Sequence, residues 1–424
     1  MKRRTFPLVS LAVTILAVIV ILASSVSATS PKEAVLYRFK SGTDGANPYA
    51  GLVADKAGNL YGTTVMGGTS SLGTVFEISP PGTGWTESVL YSFAGGTDGA
   101  NPWASLMFDK AGNLYGTTAG GGGTGCGSGC GTVFELSPPA TQGAPWTETV
   151  LYRFAGVNDG SWPWSSLILD EKGNLYGTTR YGGGATNSGT AFELSPPATQ
   201  GGPWTETVLH SFGKNNDGGE PMSALIFGLR GALFGTTATG AGTAQSGIVF
   251  KLKPPATQGG SWVEDVVYRF SGGLDGQGPQ ASLIIDKLGN LYGTAMGGGQ
   301  NSAGVVYEVS PPTTGDWTES VLYSFTAGAD GASPTAALLA DKSGNLYGTT
   351  MMGGIDNGGS VFELSPPATQ GDPWTETTLY DFSGVHDGNE PFAGLVYGKG
   401  GQFYGTTPSG GGPEQVGAVF RLIH

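Results

Sequence analysis

From Pro102 to Phe154 the apolar residues fall into four short runs, and none of them has a helical period. Pro102-Trp-Ala-Ser-Leu-Met-Phe-Asp109 is the first, led by a proline as a strand can be. After the turn Lys110-Ala-Gly-Asn113 comes Leu114-Tyr-Gly-Thr-Thr118, then a Gly-rich loop. Thr132-Val-Phe-Glu-Leu136 alternates apolar and polar side chains at the strand period of two. Ser137-Pro-Pro139 ends that run, and Trp146-Thr-Glu-Thr-Val-Leu-Tyr-Arg-Phe154 is the fourth. The pattern predicts four strands joined by turns, with no helix between them.

The same pattern returns along the chain. Gly58-Asn-Leu-Tyr-Gly-Thr-Thr64 recurs almost unchanged from Gly112, Gly173, Gly289 and Gly344, and more loosely from Gly231 and Gly401, at intervals of 54 to 61 residues. Seven self-similar units mean one supersecondary element copied and stacked on itself. Four antiparallel strands taken seven times predict an all-β fold, a seven-bladed β-propeller. The phase of the repeat predicts how the ring closes. Ala34-Val-Leu-Tyr-Arg-Phe39 is a lone fourth-type strand, and Ala418-Val-Phe-Arg-Leu422 is a third-type strand at the other end. The N-terminal strand therefore completes the last blade, which removes an exposed edge. The propeller domain is expected over 33–424.

Matching offsets predict the core. Leu52, Leu106, Leu167, Leu225, Leu283, Leu338 and Leu395 fill one first-strand position, preceded by small pairs such as Ala104-Ser105 that suit a crowded inner strand. Phe76, Phe134, Phe192, Phe250, Tyr307, Phe362 and Phe420 should pack between neighbouring blades, as should Phe39, Phe93, Phe154, Phe212, Phe270, Phe325 and Phe382.

Composition and local sequence alter this picture at four points. Seventy-six Gly and 26 Pro sit at fixed offsets between strand-like runs, so they read as turns rather than disorder. A net charge of −13 argues against nucleic acid and anionic membrane surfaces as partners, and leaves neutral sugars, cations and basic partners. Lys2, Arg3 and Arg4, the apolar run Leu8–Ala23 and Val26-Ser27-Ala28 read as a signal peptide over 1–28. The chain is then expected to be secreted, periplasmic or at the cell surface, with no stable membrane span after cleavage, and monomeric. An uncleaved anchor is the alternative. The two cysteines, Cys126 and Cys130, are expected to form a local disulfide in an oxidising compartment.

The run Gly58-Asn-Leu-Tyr-Gly-Thr-Thr64, with its Gly-rich loop and a segment like Gly131-Thr-Val-Phe-Glu-Leu-Ser-Pro138, resembles the repeat of the choice-of-anchor tandem-repeat GloVer-containing proteins. The resemblance covers all seven units. It implies bacterial export and a propeller-like repeat fold, and it implies no reaction and no catalytic residues. The chain departs from that pattern at its end: His424 follows a strand directly, with no hydrophobic or sorting tail, so surface anchoring is not expected.

Candidate chemistry gathers on one face of the disc, where the loops leading into the first strands meet the Gly-rich loops. Each inbound loop carries an Asp-Gly pair: Asp44, Asp98, Asp159, Asp217, Asp275, Asp330 and Asp387. These carboxylates, Asp44, Asp98 and Asp159 among them, either meet a ligand at the mouth or serve their own turns. The residue after the leading Pro varies, as Tyr49, Trp103, Trp164, Met222, Gln280, Thr335 and Phe392. Phe392, Tyr49, Trp103 and Trp164, extended by Trp162, should form an aromatic arc suited to sugar faces or an apolar chain, or else cover the core. Asp217 with Glu220, and Asp387 with Glu390, give two oxygen donors each, a weak basis for Ca²⁺. His386 beside Asp387 and near Glu390 is the one histidine expected on this face, where it could act as a general base, with Arg180 as an anion contact. No nucleophile elbow or P-loop occurs. Gly120–Gly125 fits a dinucleotide fingerprint in spacing but joins two strands. Three functions follow: an extracellular carbohydrate or ligand-binding module with no cofactor, an interaction scaffold, and a hydrolase or lyase.

Overall fold

The computed structural model describes residues 32–424 apart from 81–83, 124, 142, 200, 215, 241–244, 258 and 370. The expected signal peptide, 1–28, lies outside the described residues. Twenty-eight strands form seven four-stranded antiparallel sheets. Blade one is Val53–Ala54, Leu60–Thr64, Thr74–Ser79 and Thr86–Ser92, in that order from the axis outward. Inner segments of all seven blades line one central cavity, so the sheets stand around a common axis as a seven-bladed β-propeller. No helix among the described residues is long and apolar enough to cross a membrane.

The ring closes on strands from both ends of the chain. Lys32–Arg38 is the outer strand of blade seven, antiparallel to Ala418–Ile423, with Val35 opposite Phe420 and Arg38 opposite Ala418. A pair of rings spans every seam, Phe on Phe in six and Phe270 on Tyr307 in the other. Phe93 meets Phe134 edge-on at 5.2 Å, and Phe39 meets Phe76 across the closing seam at 5.1 Å. Both sets are buried, so each seam hides two large rings.

The first strand is shorter than the sequence pattern suggests. Of Pro102–Asp109, only Met107–Phe108 enters the ladder, opposite Leu114 and Tyr115. Upstream residues converge on the axis, where there is no space for a neighbouring strand. Their carbonyls are claimed instead by the preceding blade: Thr63 Oγ1 donates to Pro102 O and Ala104 O, both at 3.3 Å. Thr406 donates to Ala50 O at 2.8 Å, which carries the same link across the closure. This is the physical reason for the repeated Thr-Thr. The second Thr bonds within its blade, as Thr64 Oγ1 does with Thr74 Oγ1 at 2.8 Å.

The glycine in Leu-Tyr-Gly-Thr is required by packing. A Cβ at Gly116 would stand 2.6 Å from Phe134 Cζ and 2.9 Å from Leu106 Cδ2. Overpacking of this kind costs about 1–3 kcal/mol. Gly116→Ala is therefore expected to lower the free energy of unfolding by that amount, read as a lower midpoint in chemical denaturation. An unchanged midpoint would mean the seam can relax.

Candidate functional site

The upper mouth is built from one local device. The residue before each leading Pro is left-handed: Asn47 at φ 57, Asn101 at 55, Trp162 at 56, Glu220 at 52, Gly278 at 67, Ser333 at 53 and Glu390 at 58. Its N–H reaches back to the preceding blade, as Asn101 N does to Leu72 O at 2.7 Å. Its carbonyl accepts from the same blade's loop, as Asn101 O does from Ala119 N at 3.0 Å. Where Asn stands there, its side chain adds a third bond, Asn101 Nδ2 to Val65 O at 2.9 Å. Pro then fixes φ, and the next side chain projects to the mouth.

The arc residues come together. Tyr49 and Trp103 lie 4.4 Å apart at 35°, and Trp103 and Trp164 stack at 4.7 Å and 23°. Phe392 meets Tyr49 edge-on at 5.8 Å. Trp162 lies 6.4 Å from Trp164 at 24°. All five are half-buried. Burial, then the charge of Glu390, raises the Tyr49 hydroxyl above its ordinary pKa, so it remains a neutral donor.

The central cavity on the axis holds 130 Å³. Beside it a second cavity of 230 Å³ opens between Trp103, Trp162 and Trp164, floored by Val65 and Met66 and edged by Ser128. Met66 is 54 % exposed. The site therefore lies off-axis over blades one to three. Trp164 Nε1 is buried and has no partner among the described residues.

Two departures from the repeat shape this corner. Cys126 and Cys130 are joined by a disulfide, Cα atoms 5.2 Å apart. The bridged loop holds Ser128 at the cavity edge, with Ser128 O accepting from Gly121 N. Cys130 O accepts from Trp162 N at 2.9 Å, so the loop and the tryptophan are directly joined. Arg180 lies 4.5 Å over the Trp164 ring and pairs with Glu220 at 2.8 Å. Sequence reasoning did not find the Arg180–Glu220 bridge. A signal was present: Arg180 stands where the other blades carry Val65, Ala119, Ala238, Met296, Met351 and Pro408.

The Asp-Gly carboxylates serve their own turns. Asp98 accepts from the Tyr91 hydroxyl at 2.7 Å and from Ala94 N at 2.5 Å. Asp44 holds Tyr37 and Lys40 N, and Asp159 holds Tyr152, Ala155 N and Gly156 N. On the outer strand of blade three His210 replaces the tyrosine and meets Asp217, on the loop into blade four, at 2.9 Å. Asp44, Asp98 and Asp159 are thus clasps between outer strand and inbound loop, and the site described here does not use them.

The four carboxylates of the calcium reading also have partners within the protein. Asp217 is held by His210 and Gly213 N, while Glu220 is held by Arg180. Asp387 accepts from Tyr380 and from Ser383 N and Oγ, and Glu390 faces Ser409 at 3.4 Å. Among the described residues, no three His, Cys, Asp or Glu side chains assemble into a metal site. His386 is exposed, and its carbonyl accepts from Arg38 Nη2 at 2.9 Å.

Fold and mouth together define a closed seven-bladed propeller whose tryptophans gather on the inner rim of blades two and three, beside Tyr49 of blade one. The chain belongs to the Gloeobacter/Verrucomicrobia repeat family, whose profile matches residues 22–241, 123–287 and 227–423. No curated protein matches it. Among solved structures, the chain is similar to a candidate 6-phosphogluconolactonase from Bacteroides uniformis. That match has 14 % identity and a TM-score of 0.49, over 80 % of this chain and 86 % of the other. It is also similar to PorZ of Porphyromonas gingivalis, a bacterial surface component of the type-IX secretion system, at 15 % identity and a TM-score of 0.49. That match covers 91 % of this chain and 47 % of the other.

Proposed function

We propose that this protein is an exported binding module that takes a carbohydrate at the off-axis tryptophan cavity of its upper mouth. One observation carries the reading: Trp162 lines the 230 Å³ cavity while held at φ 56. A bulky side chain in the left-handed region costs about 1–2 kcal/mol. Of the other six blades two use Asn, two Glu, one Ser and one Gly there, so Trp162 is the one aromatic side chain held in that conformation at this position. Strain of this kind concentrates where a side chain is kept for a ligand. Indole faces beside polar groups suit a sugar ring, which offers C–H faces and hydroxyl edges. Trp103, Trp164, Tyr49 and Phe392 support the wall. The basic and apolar start of the chain and the Cys126–Cys130 disulfide support export into an oxidising compartment.

Trp162→Asn separates stability from binding. Asn restores the side chain found in blades one and two, so the variant should gain about 1 kcal/mol in unfolding free energy. The same change should weaken retention on an immobilised panel of bacterial and plant cell-wall polysaccharides. The combined Trp103→Ala, Trp164→Ala variant should lose retention altogether. Retention equal to wild type in both variants would remove the tryptophan cavity as the site. Capture of protein ligands alone would turn the reading toward an interaction scaffold.

A further inference from the structure

The opposite face of the disc carries grooves at the blade junctions, and the one between blades seven and one sets two cations against a single acid. In five blades the middle of the third strand holds a glutamate: Glu77, Glu135, Glu193, Glu308 and Glu363. Blade seven has Arg421 there, and Gly398 where most blades carry the turn aspartate. A Cβ at Gly398 would lie 2.2 Å from Tyr404 Cε2, so the tyrosine ring occupies the space an aspartate would need. The Tyr404 hydroxyl donates to Gln402 Oε1 at 2.8 Å rather than to a carboxylate. Between blades seven and one a cavity of 500 Å³ results, lined by Arg421, Lys399, Tyr404, Tyr397 and Trp85. The corresponding groove between blades five and six is lined by Asp286 and Asp341 together with Lys287 and Lys342, so its charges balance.

Arg421 makes no ion pair among the described residues, and its Nε is buried without a hydrogen-bond partner. Leaving a buried charged donor unpaired is costly. Blade four shows the alternative: Lys251 replaces the same glutamate, and its ammonium lies 5.4 Å over the Phe234 ring. The one acid on the cavity wall, Asp55, is already engaged. It accepts from Gly58 N, Asn59 N, Asn59 Nδ2 and the Tyr61 hydroxyl. Lys399 Nζ reaches only a carbonyl, Ala57 O at 3.3 Å. Two cations therefore face a cavity with aromatic walls, where Trp85 and Tyr404 stand edge-on at 5.8 Å.

We propose that this cavity binds a sugar acid, with the carboxylate on Arg421 and Lys399 and the ring against Trp85 and Tyr404. Guanidinium matches a carboxylate through two parallel N–H bonds, and 500 Å³ lies within the size of small-ligand sites. The chain's net charge of −13 does not prevent this, because exposed charges beyond about 8–10 Å are screened at physiological salt. The proposal is independent of the tryptophan cavity on the other face.

Titration calorimetry of the full chain with trigalacturonate, and with maltotriose as the neutral control, tests it. Trigalacturonate should bind at least about tenfold more tightly than maltotriose, and more weakly as salt rises. Arg421→Glu restores the residue that five blades carry, so the fold should be kept, as its melting curve will verify. It should reduce trigalacturonate affinity by about tenfold or more. Both chains are also titrated in the Trp103→Ala, Trp164→Ala background, which takes the tryptophan cavity out of the measurement and should leave the effect of Arg421→Glu in place. Equal binding of the two trisaccharides, wild-type affinity in Arg421→Glu, or loss only in the tryptophan variant would each overturn the proposal.

Discussion

A chain lacking Lys32–Phe39 should no longer melt as a single cooperative unit and should associate in solution. The deletion strips the outer strand from blade seven and exposes the edge of Ala418–Ile423. An unpaired edge of that length is a template for other chains. It also removes Phe39, 3 % exposed, from its contact with Phe76, and the Phe39 N bond to Gly417 O. The closing seam carries a ring pair as the other six do, so its loss opens the propeller at one seam while leaving those six built. A milder variant, Phe39→Ala, should cost about 3–5 kcal/mol. Light scattering with thermal melts checks both. A monomeric deletion variant with an unchanged melting temperature would show that closure contributes nothing.

Raising the pH from 5 to 8 should lower stability. Each outer strand carries one half-buried glutamate that sits against a turn aspartate of the preceding seam. Burial, then the charge of Asp98, pushes Glu148 up to about 7. Burial followed by Asp159 does the same for Glu206, to about 7. Glu87 is pushed up to about 8 by burial, by the charge of Asp44 and by a hydrogen bond to it, with Lys40 opposing. Glu33, Glu264, Glu319 and Glu376 are also raised to about 7. Six of the seven have a buried Oε1 with no partner, which an ionised carboxylate tolerates poorly. Glu376 differs, since its Oε1 accepts from Thr378 Oγ1 at 3.0 Å.

The sign follows from proton binding. These groups titrate near 4.5 when unfolded, so between about pH 4.5 and 8 the native state holds more protons and stability falls as pH rises. The groups are partly exposed, and solvent screening reduces each effect to about 0.5 kcal/mol. Seven copies then amount to about 3.5 kcal/mol, or on the order of 4 °C in melting temperature for a chain of this size. Asp387 is lowered below its ordinary value, and its contribution is lost only at more acid pH, outside this window. Scanning calorimetry at pH 5, 6.5 and 8 measures the slope. Glu→Gln at Glu87, Glu148 and Glu206 together should flatten it, because the amide imitates the neutral acid. A melting temperature that rises with pH would refute the assignment.

Much of the architecture was legible because it is local and periodic. The four-strand unit, its seven copies and the phase that lends the first strand to the last blade all follow from residues within one repeat length. So do the seam rings, since Phe93 and Phe134 occupy fixed offsets. The aromatic arc was legible as a set of neighbours, because adjacent blades in a closed ring must bring Tyr49, Trp103 and Trp164 together.

Other features depend on contacts between blades that no single repeat encodes. Thr63 finds its acceptors 39 and 41 residues ahead, and Arg180 finds Glu220 40 residues ahead. Whether an Asp-Gly carboxylate faces a ligand or its own turn depends on a tyrosine that points inward only once the outer strand is packed. The same packing desolvates the seven glutamates, which look like ordinary surface residues in an alternating strand. The chain alone thus determined the number, order and closure of the blades, because backbone pairing and ring burial obey short periods. The tertiary structure decided where space and unpaired charge remain, because those arise where side chains of neighbouring blades fail to match the repeat.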